Sequence, residues 1–211
     1  MRRPMFRGLL FAVFAALAAA CADDPQVVDP TPNPTPTTET FSGIVTINGA
    51  ITWGNINVSM AGSANATLTA VRPELTMRVT DGTGNFLAGE TAFIGNSIDD
   101  NTGTVVVHGW TPATGTLFLN NRTGTLPTGQ AIVGATSGAR WTNSEVGNTL
   151  VGIALGVWNG TTCDLKLVND LAGQGAAVAG VVRDAGSLCA RAYDVGRLLG
   201  PAEVTLEVQH Y

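Results

Sequence analysis

Residues 64–80, Ala-Asn-Ala-Thr-Leu-Thr-Ala-Val-Arg-Pro-Glu-Leu-Thr-Met-Arg-Val-Thr, decide the fold class. Ala64, Ala66, Leu68 and Ala70 alternate with Asn65, Thr67 and Thr69. Beyond Pro73, Leu75, Met77 and Val79 alternate with Thr76, Arg78 and Thr80. Successive strand side chains point to opposite faces, so each run has one dry face and one wet one. The pattern recurs outward in both directions: Ile56, Val58 and Met60 against Asn55, Asn57 and Ser59, and Val204, Leu206 and Val208 against Thr205, Glu207 and Gln209. Val105 to Val107 and Leu150 to Val157 are apolar on both sides and suit central strands. Turn signals separate the runs at residues 81–85, 101–103 and 112–115, at Asn159-Gly160 and at Gly200-Pro201. No window carries a helical period with caps. Short strands at this spacing predict an all-β chain, an antiparallel sandwich of jelly-roll type. The small-residue segment 171–180 is compatible with a short helix or a wide loop.

The first residues follow another plan. Arg2, Arg3 and Arg7 precede an uncharged apolar stretch from Gly8 to Ala20, and the small residues Ala18, Ala19 and Ala20 close it. A spanning helix needs roughly 20 apolar residues, so this stretch reads as a cleavable secretory signal over residues 1–20. Ala18-Ala19-Ala20-Cys21 resembles the lipobox of bacterial lipoproteins, with Ala18 where that motif prefers Leu. The resemblance implies lipidation of Cys21, a membrane anchor as the first partner, and residence in the cell envelope. Ala22, and not Asp, follows the cysteine, which favours the outer membrane or the cell surface. Diacyl and amide-linked chains, at ~0.8 kcal/mol per buried CH₂, anchor stably.

Residues 21–40 hold the lipidated cysteine and a linker in which Pro25, Pro30, Pro32, Pro34 and Pro36 favour polyproline II. At ~3.1 Å per residue such a spacer reaches about 60 Å. Without Arg2, Arg3 and Arg7 the chain keeps eight basic against sixteen acidic side chains, a net charge of −8. That balance argues against a nucleic-acid partner, whose phosphates demand cations. It leaves a surface polymer or another protein as the expected partner.

Residues 41–211 form the expected β-sandwich, within which 73–145 is either an inserted set of strands or a second sandwich. Gly186-Ser187-Leu188-Cys189-Ala190-Arg191-Ala192-Tyr193-Asp194-Val195-Gly196, with Pro201 and Val204 to Val208, resembles the closing strands of bacterial pre-peptidase C-terminal-like domains. Leu155-Gly156-Val157-Trp158 with Cys163-Asp164-Leu165 resembles the strand pair before them, and Phe41 to Val71 the opening strands. Such domains are small sandwiches on secreted proteins, generally without catalytic activity, with roles in secretion, adherence or calcium-aided stability. The resemblance covers the two ends of the domain. Residues 79–93 are similar to strand-turn-strand units of bacterial immunoglobulin-like repeats.

Cys163 and Cys189 lie in an oxidising compartment on this reading, so a disulfide is expected. Closing about 25 residues constrains the unfolded chain by roughly 3 kcal/mol. Parity opposes it: Cys163 alternates with Leu165 and Leu167, which read as buried, and Cys189 with Arg191 and Tyr193, which read as exposed. A bulge or a strand-end position has to reconcile them. The two histidines, His108 and His210, are too few for a typical zinc site, and the penultimate His210 is expected to fray. No Gly-x-Ser-x-Gly, His-Glu-x-x-His or phosphate-loop motif is present, so the chain reads as a non-enzyme. Glu74, Glu90 and Glu145 stand in no distinctive context. Calcium is the one cofactor suggested: Asp81 and Asn85, and Asp99 and Asp100, are candidate oxygen ligands, all of them also ordinary turn formers. Trp110 and Trp141 are candidate carbohydrate-stacking residues, against the commoner role of tryptophan in a sandwich core. The functional expectation is therefore a lipid-anchored, non-catalytic binding or structural protein. A calcium-assisted carbohydrate-binding module and an enzyme of unrecognised type are the alternatives.

Overall fold

The structure, a computed structural model, describes residues 34–95 and 97–211. Residues 1–20, read as a signal, and Cys21, the expected lipidation site, lie outside the described residues. Among those described, fourteen strands and one 3-10 turn at Pro112–Thr114 make up the regular structure. The all-β reading holds. No described helix is long and apolar enough to cross a membrane.

Eight strands form the sandwich. β1 (Thr37–Val45), β14 (Ala202–His210), β3 (Gly62–Arg72) and β12 (Ala177–Val182) make one sheet in that order. β11 (Cys163–Ala172), β10 (Val151–Trp158), β13 (Gly186–Tyr193) and β2 (Ala50–Val58) make the other, and all pairs are antiparallel. The alternation is realised as read: Ala64, Ala66 and Leu68 on β3 and Val204, Leu206 and Val208 on β14 join Ile153 and Leu155 of β10 in one core. Met60 falls just outside β2 and is exposed. Segment 171–180 resolves into the end of β11, a turn at 173–176 and the start of β12.

Six strands between β3 and β10 close on themselves. β4 (Leu75–Thr83), β7 (Thr116–Gly124), β6 (Asn101–Thr111), β5 (Thr91–Gly95), β8 (Ala131–Gly134) and β9 (Arg140–Asn148) follow that order around a barrel, and β9 returns to β4. This segment is thus an insertion into the sandwich, and its form is a barrel where sequence reading offered a second sandwich. Its interior is filled by side chains, as small barrels require: Leu75, Met77 and Val79 of β4, Ile94 of β5, Val105 and Val107 of β6, Leu117 and Leu119 of β7, and Ile132 of β8.

The strand ends fix a direction along the domain. Thr37, where β1 begins, pairs with His210 at the end of β14, and Arg72, where β3 ends, pairs with Glu203 near the beginning of β14. The chain therefore comes into the sandwich at one end and leaves for the barrel at the other.

Candidate functional site

Three places gather chemistry-bearing side chains: the end of the barrel, the outer face of the second sheet, and the junction of sandwich and barrel.

At the barrel end, Trp110 on β6 and Trp141 on β9 are brought together, ring centroids 5.2 Å apart at 60°, and Phe86 meets Trp110 edge-on at 5.5 Å. Trp141 lies over Gly82, where an added Cβ would sit 2.4 Å from the indole ring. Both tryptophans are half-buried against the barrel core. Trp110 Nε1 donates to Asn85 Oδ1 at 3.2 Å and Trp141 Nε1 to the Gly84 carbonyl at 2.9 Å. The pair thus forms a small aromatic platform at the end of β4 away from the sandwich, with Leu87, 51% exposed, in the neighbouring loop.

The four calcium candidates separate. Asp81 and Asn85 lie at the end of β4 and in the loop before β5, whereas Asp99 and Asp100 lie in the loop after β5. The length of β5 divides the two groups, and Asn85 has its side-chain oxygen committed to Trp110. No three His, Cys, Asp or Glu side chains converge among the described residues.

The loop beside the tryptophans is held by a residue whose importance its sequence context hid. Glu90, 6% exposed, accepts four hydrogen bonds: from Leu87 N–H (2.7 Å) and Ser137 Oγ (2.8 Å) on Oε1, and from Thr136 N–H (3.1 Å) and Ser137 N–H (2.9 Å) on Oε2. Burial alone would raise its pKa. The donors from Ser137, Leu87 and Thr136 outweigh burial and hold it below the ordinary carboxylate value.

On the second sheet Cys163 and Cys189 are joined, Cα atoms 5.7 Å apart. A bulge removes the parity conflict. Leu155 pairs with Leu167 but Gly156 pairs with Leu165, so β11 carries one extra residue at Lys166. Leu167 faces the core, whereas Leu165 and Cys163 turn outward opposite Gly156 and Trp158. Cys189 pairs with the same Gly156 from the other side. A Cβ on Gly156 would lie 2.3 Å from the Asp164 carbonyl oxygen, so the glycine lets β11 curl over β10 and bring the two cysteines together. On this face Tyr193 covers Gly152 and hydrogen-bonds Asp170. Burial first, then that hydrogen bond and the Asp170 charge, push its hydroxyl up to about 12, against the opposing effect of Arg191. Next to Tyr193, Asp194 accepts from Asn48, Gly196, Arg197 and Leu198 backbone N–H groups and ties two loops together.

The histidines serve structure. His210 does not fray: it is 3% exposed, ends β14 opposite Thr37, and meets Glu39 at 2.9 Å. His108 is exposed and touches the Asn120 amide at 3.3 Å.

At the junction a polar pocket of about 460 Å³ is lined by Glu74, Arg122, Asn148, Thr149 and Gln174 over a floor of Val71 and Leu75. Glu74 follows the last sandwich residue of β3, Arg122 is on barrel strand β7, and Thr149 lies between β9 and β10. Sequence reading found none of these together, because the residues come from segments tens of positions apart. A second cleft, about 440 Å³ and mostly apolar, opens between β11 and β12 beside Leu155, Leu167 and Leu188.

The sequence matches no protein-family model and no curated protein. The chemistry of the sites therefore has to carry the functional reading.

Proposed function

We propose that this chain is a non-catalytic cell-envelope lipoprotein, lipidated at Cys21, that binds a surface polymer or protein through the free end of its barrel. The observation that carries the reading is the direction of the chain. The proline-rich segment runs into β1 at Thr37, beside His210, while the barrel is attached beyond Arg72 at the opposite end of β14. The Trp110–Trp141 platform then stands at the end of β4 turned away from the sandwich. A lipid tether at residue 21 would give the sandwich the role of a stalk and the barrel end the role of a contact surface. The resemblance of the sandwich strands to pre-peptidase C-terminal-like domains, which serve adherence and secretion, supports the same reading.

Carbohydrate is a second, narrower reading of the partner, favoured by the contact between Trp110 and Trp141, since flat aromatic faces stack on sugar rings. Two experiments test the proposal. Intact-mass spectrometry of the protein from its native membrane is expected to find an N-terminus at Cys21 carrying diacylglycerol and an acyl chain; an unmodified N-terminus overturns the tether. A glycan and envelope-protein array is expected to give binding that Trp141→Ala abolishes while the sandwich disulfide and overall fold persist. Binding indifferent to Trp110→Ala and Trp141→Ala removes the barrel end as the contact surface.

A further inference from the structure

The pocket at the junction of sandwich and barrel has a composition that the barrel-end reading does not use. It presents one carboxylate, Glu74, and one guanidinium, Arg122, from different parts of the chain. They are close in space: Asn121, the neighbour of Arg122, donates its backbone N–H to Glu74 Oε2 at 3.0 Å. Yet the two charges form no ion pair with each other, and the salt bridges among the described residues are Lys166–Asp164 and His210–Glu39. The Asn121 contact engages one carboxylate oxygen, Oε2.

Thr149 also lines the pocket, but its hydroxyl is closed to it. Its side chain is 5% exposed, and its hydroxyl oxygen is buried without a hydrogen-bond partner. Asn148 and Gln174 add amides at the rim, and Val71 and Leu75 give an apolar floor. Pockets of this size at the meeting of two structural units are where small ligands commonly bind.

We infer that this pocket is a binding site for a small zwitterion, a free α-amino acid or a dipeptide. The carboxylate of the ligand would take the planar fork of Arg122, which suits bidentate contact. Its ammonium would take the Glu74 carboxylate, the Asn148 and Gln174 amides would supply further hydrogen bonds, and an aliphatic side chain would rest on Val71 and Leu75. A ligand carrying both charges meets Arg122 and Glu74 at once, which a singly charged ligand cannot. The volume, about 460 Å³, is ample for one or two residues. This inference is independent of what the barrel end contacts.

Titration calorimetry of the purified full chain with glycine, alanine, leucine and their dipeptides tests it. Saturable binding of at least one of these is expected. Arg122→Gln and Glu74→Gln should each weaken it at least tenfold with the melting temperature little changed, because Arg122 is exposed and the glutamine keeps an oxygen for Asn121 N–H. Absence of heat with every zwitterion at millimolar concentration overturns the inference, as does binding that Arg122→Gln and Glu74→Gln leave intact. Selective binding of neutral monosaccharides in place of the zwitterions overturns it too.

Discussion

Glu90 shows how one carboxylate orders the free end of the barrel. Its four donors come from two loops, the one around Leu87 and the one at Thr136 and Ser137, the latter 46 and 47 residues beyond Glu90 itself. Glu90→Gln keeps the shape but turns an N–H₂ group toward N–H donors. Hydrogen bonds to a charged acceptor contribute about 1.5–3 kcal/mol each and leave unsatisfied donors when lost. The substitution should therefore lower unfolding stability by roughly 2–3 kcal/mol in urea denaturation, and a change within experimental error would contradict the argument. Asp194 acts in the same way on the sandwich, where burial raises its pKa and four backbone donors more than reverse the effect. Both carboxyls have folded values below their ordinary 4.5 and 3.8. Their contribution is then complete above those ordinary values and is lost as pH falls through the lower folded ones. The melting temperature should fall on acidification below about pH 4.5, and Glu90→Gln should flatten part of that slope. In the sequence Glu90 was one acid among sixteen. Nothing local marks it, since three of its four donors are backbone N–H groups and the fourth, the Ser137 hydroxyl, is brought in by folding. Trp110 and Trp141 were legible as candidates because tryptophan is scarce and amphipathic, but their mutual contact is a product of barrel closure.

At the scale of elements, alternation made the strands legible and bulges limited what could be concluded from it. A strict period of two along β11 places Cys163 on the face of Leu167, toward the core. The extra residue at Lys166 reverses the parity and turns Cys163 outward with Cys189. Periodicity alone cannot foresee such a slip, because the bulge depends on Gly156 of a neighbouring strand giving way to the Asp164 carbonyl. Gly156→Ala should therefore lower stability by about 1–3 kcal/mol, the range for forcing extra atoms into a packed site. Reduction of the wild-type disulfide should lower it by roughly 3 kcal/mol. If the glycine acts through the approach of β11, the double change of Gly156→Ala with reduction should cost less than the sum of the two. Full additivity in denaturation experiments would separate the glycine from the disulfide. The barrel was less legible for a related reason. Leu75, Met77 and Val79 identify an inward face, but the return of β9 to β4 is a pairing between Met77 and Val146 and their neighbours, which no local pattern encodes.

The whole molecule joins these pieces in a fixed order along the chain: sandwich strands, barrel, then sandwich again. Because β3 hands the chain to the barrel and β10 takes it back, the barrel hangs on the two crossings at 73–74 and 149–150, and the zwitterion pocket is built from those same crossings. A ligand there would contact sandwich and barrel together and bind only their docked arrangement, so saturating concentrations should raise the melting temperature. The proposed tether would add a polarity to this body. If Cys21 carries lipid, the β12–β13 turn at Asp184, near the end of the sandwich where Thr37 and His210 meet, should lie closer to the bilayer than Leu87 at the barrel end. The nine-residue strands β14 of the sandwich and β4 of the barrel each span about 30 Å, at ~3.3 Å per residue, so the difference is measurable. Fluorophores placed by Asp184→Cys and Leu87→Cys in liposome-bound protein, with an acceptor dye in the membrane, should give higher energy transfer from position 184. Equal transfer would mean that the domain lies along the surface, with the Trp110–Trp141 platform facing the lipid headgroups and not an external partner.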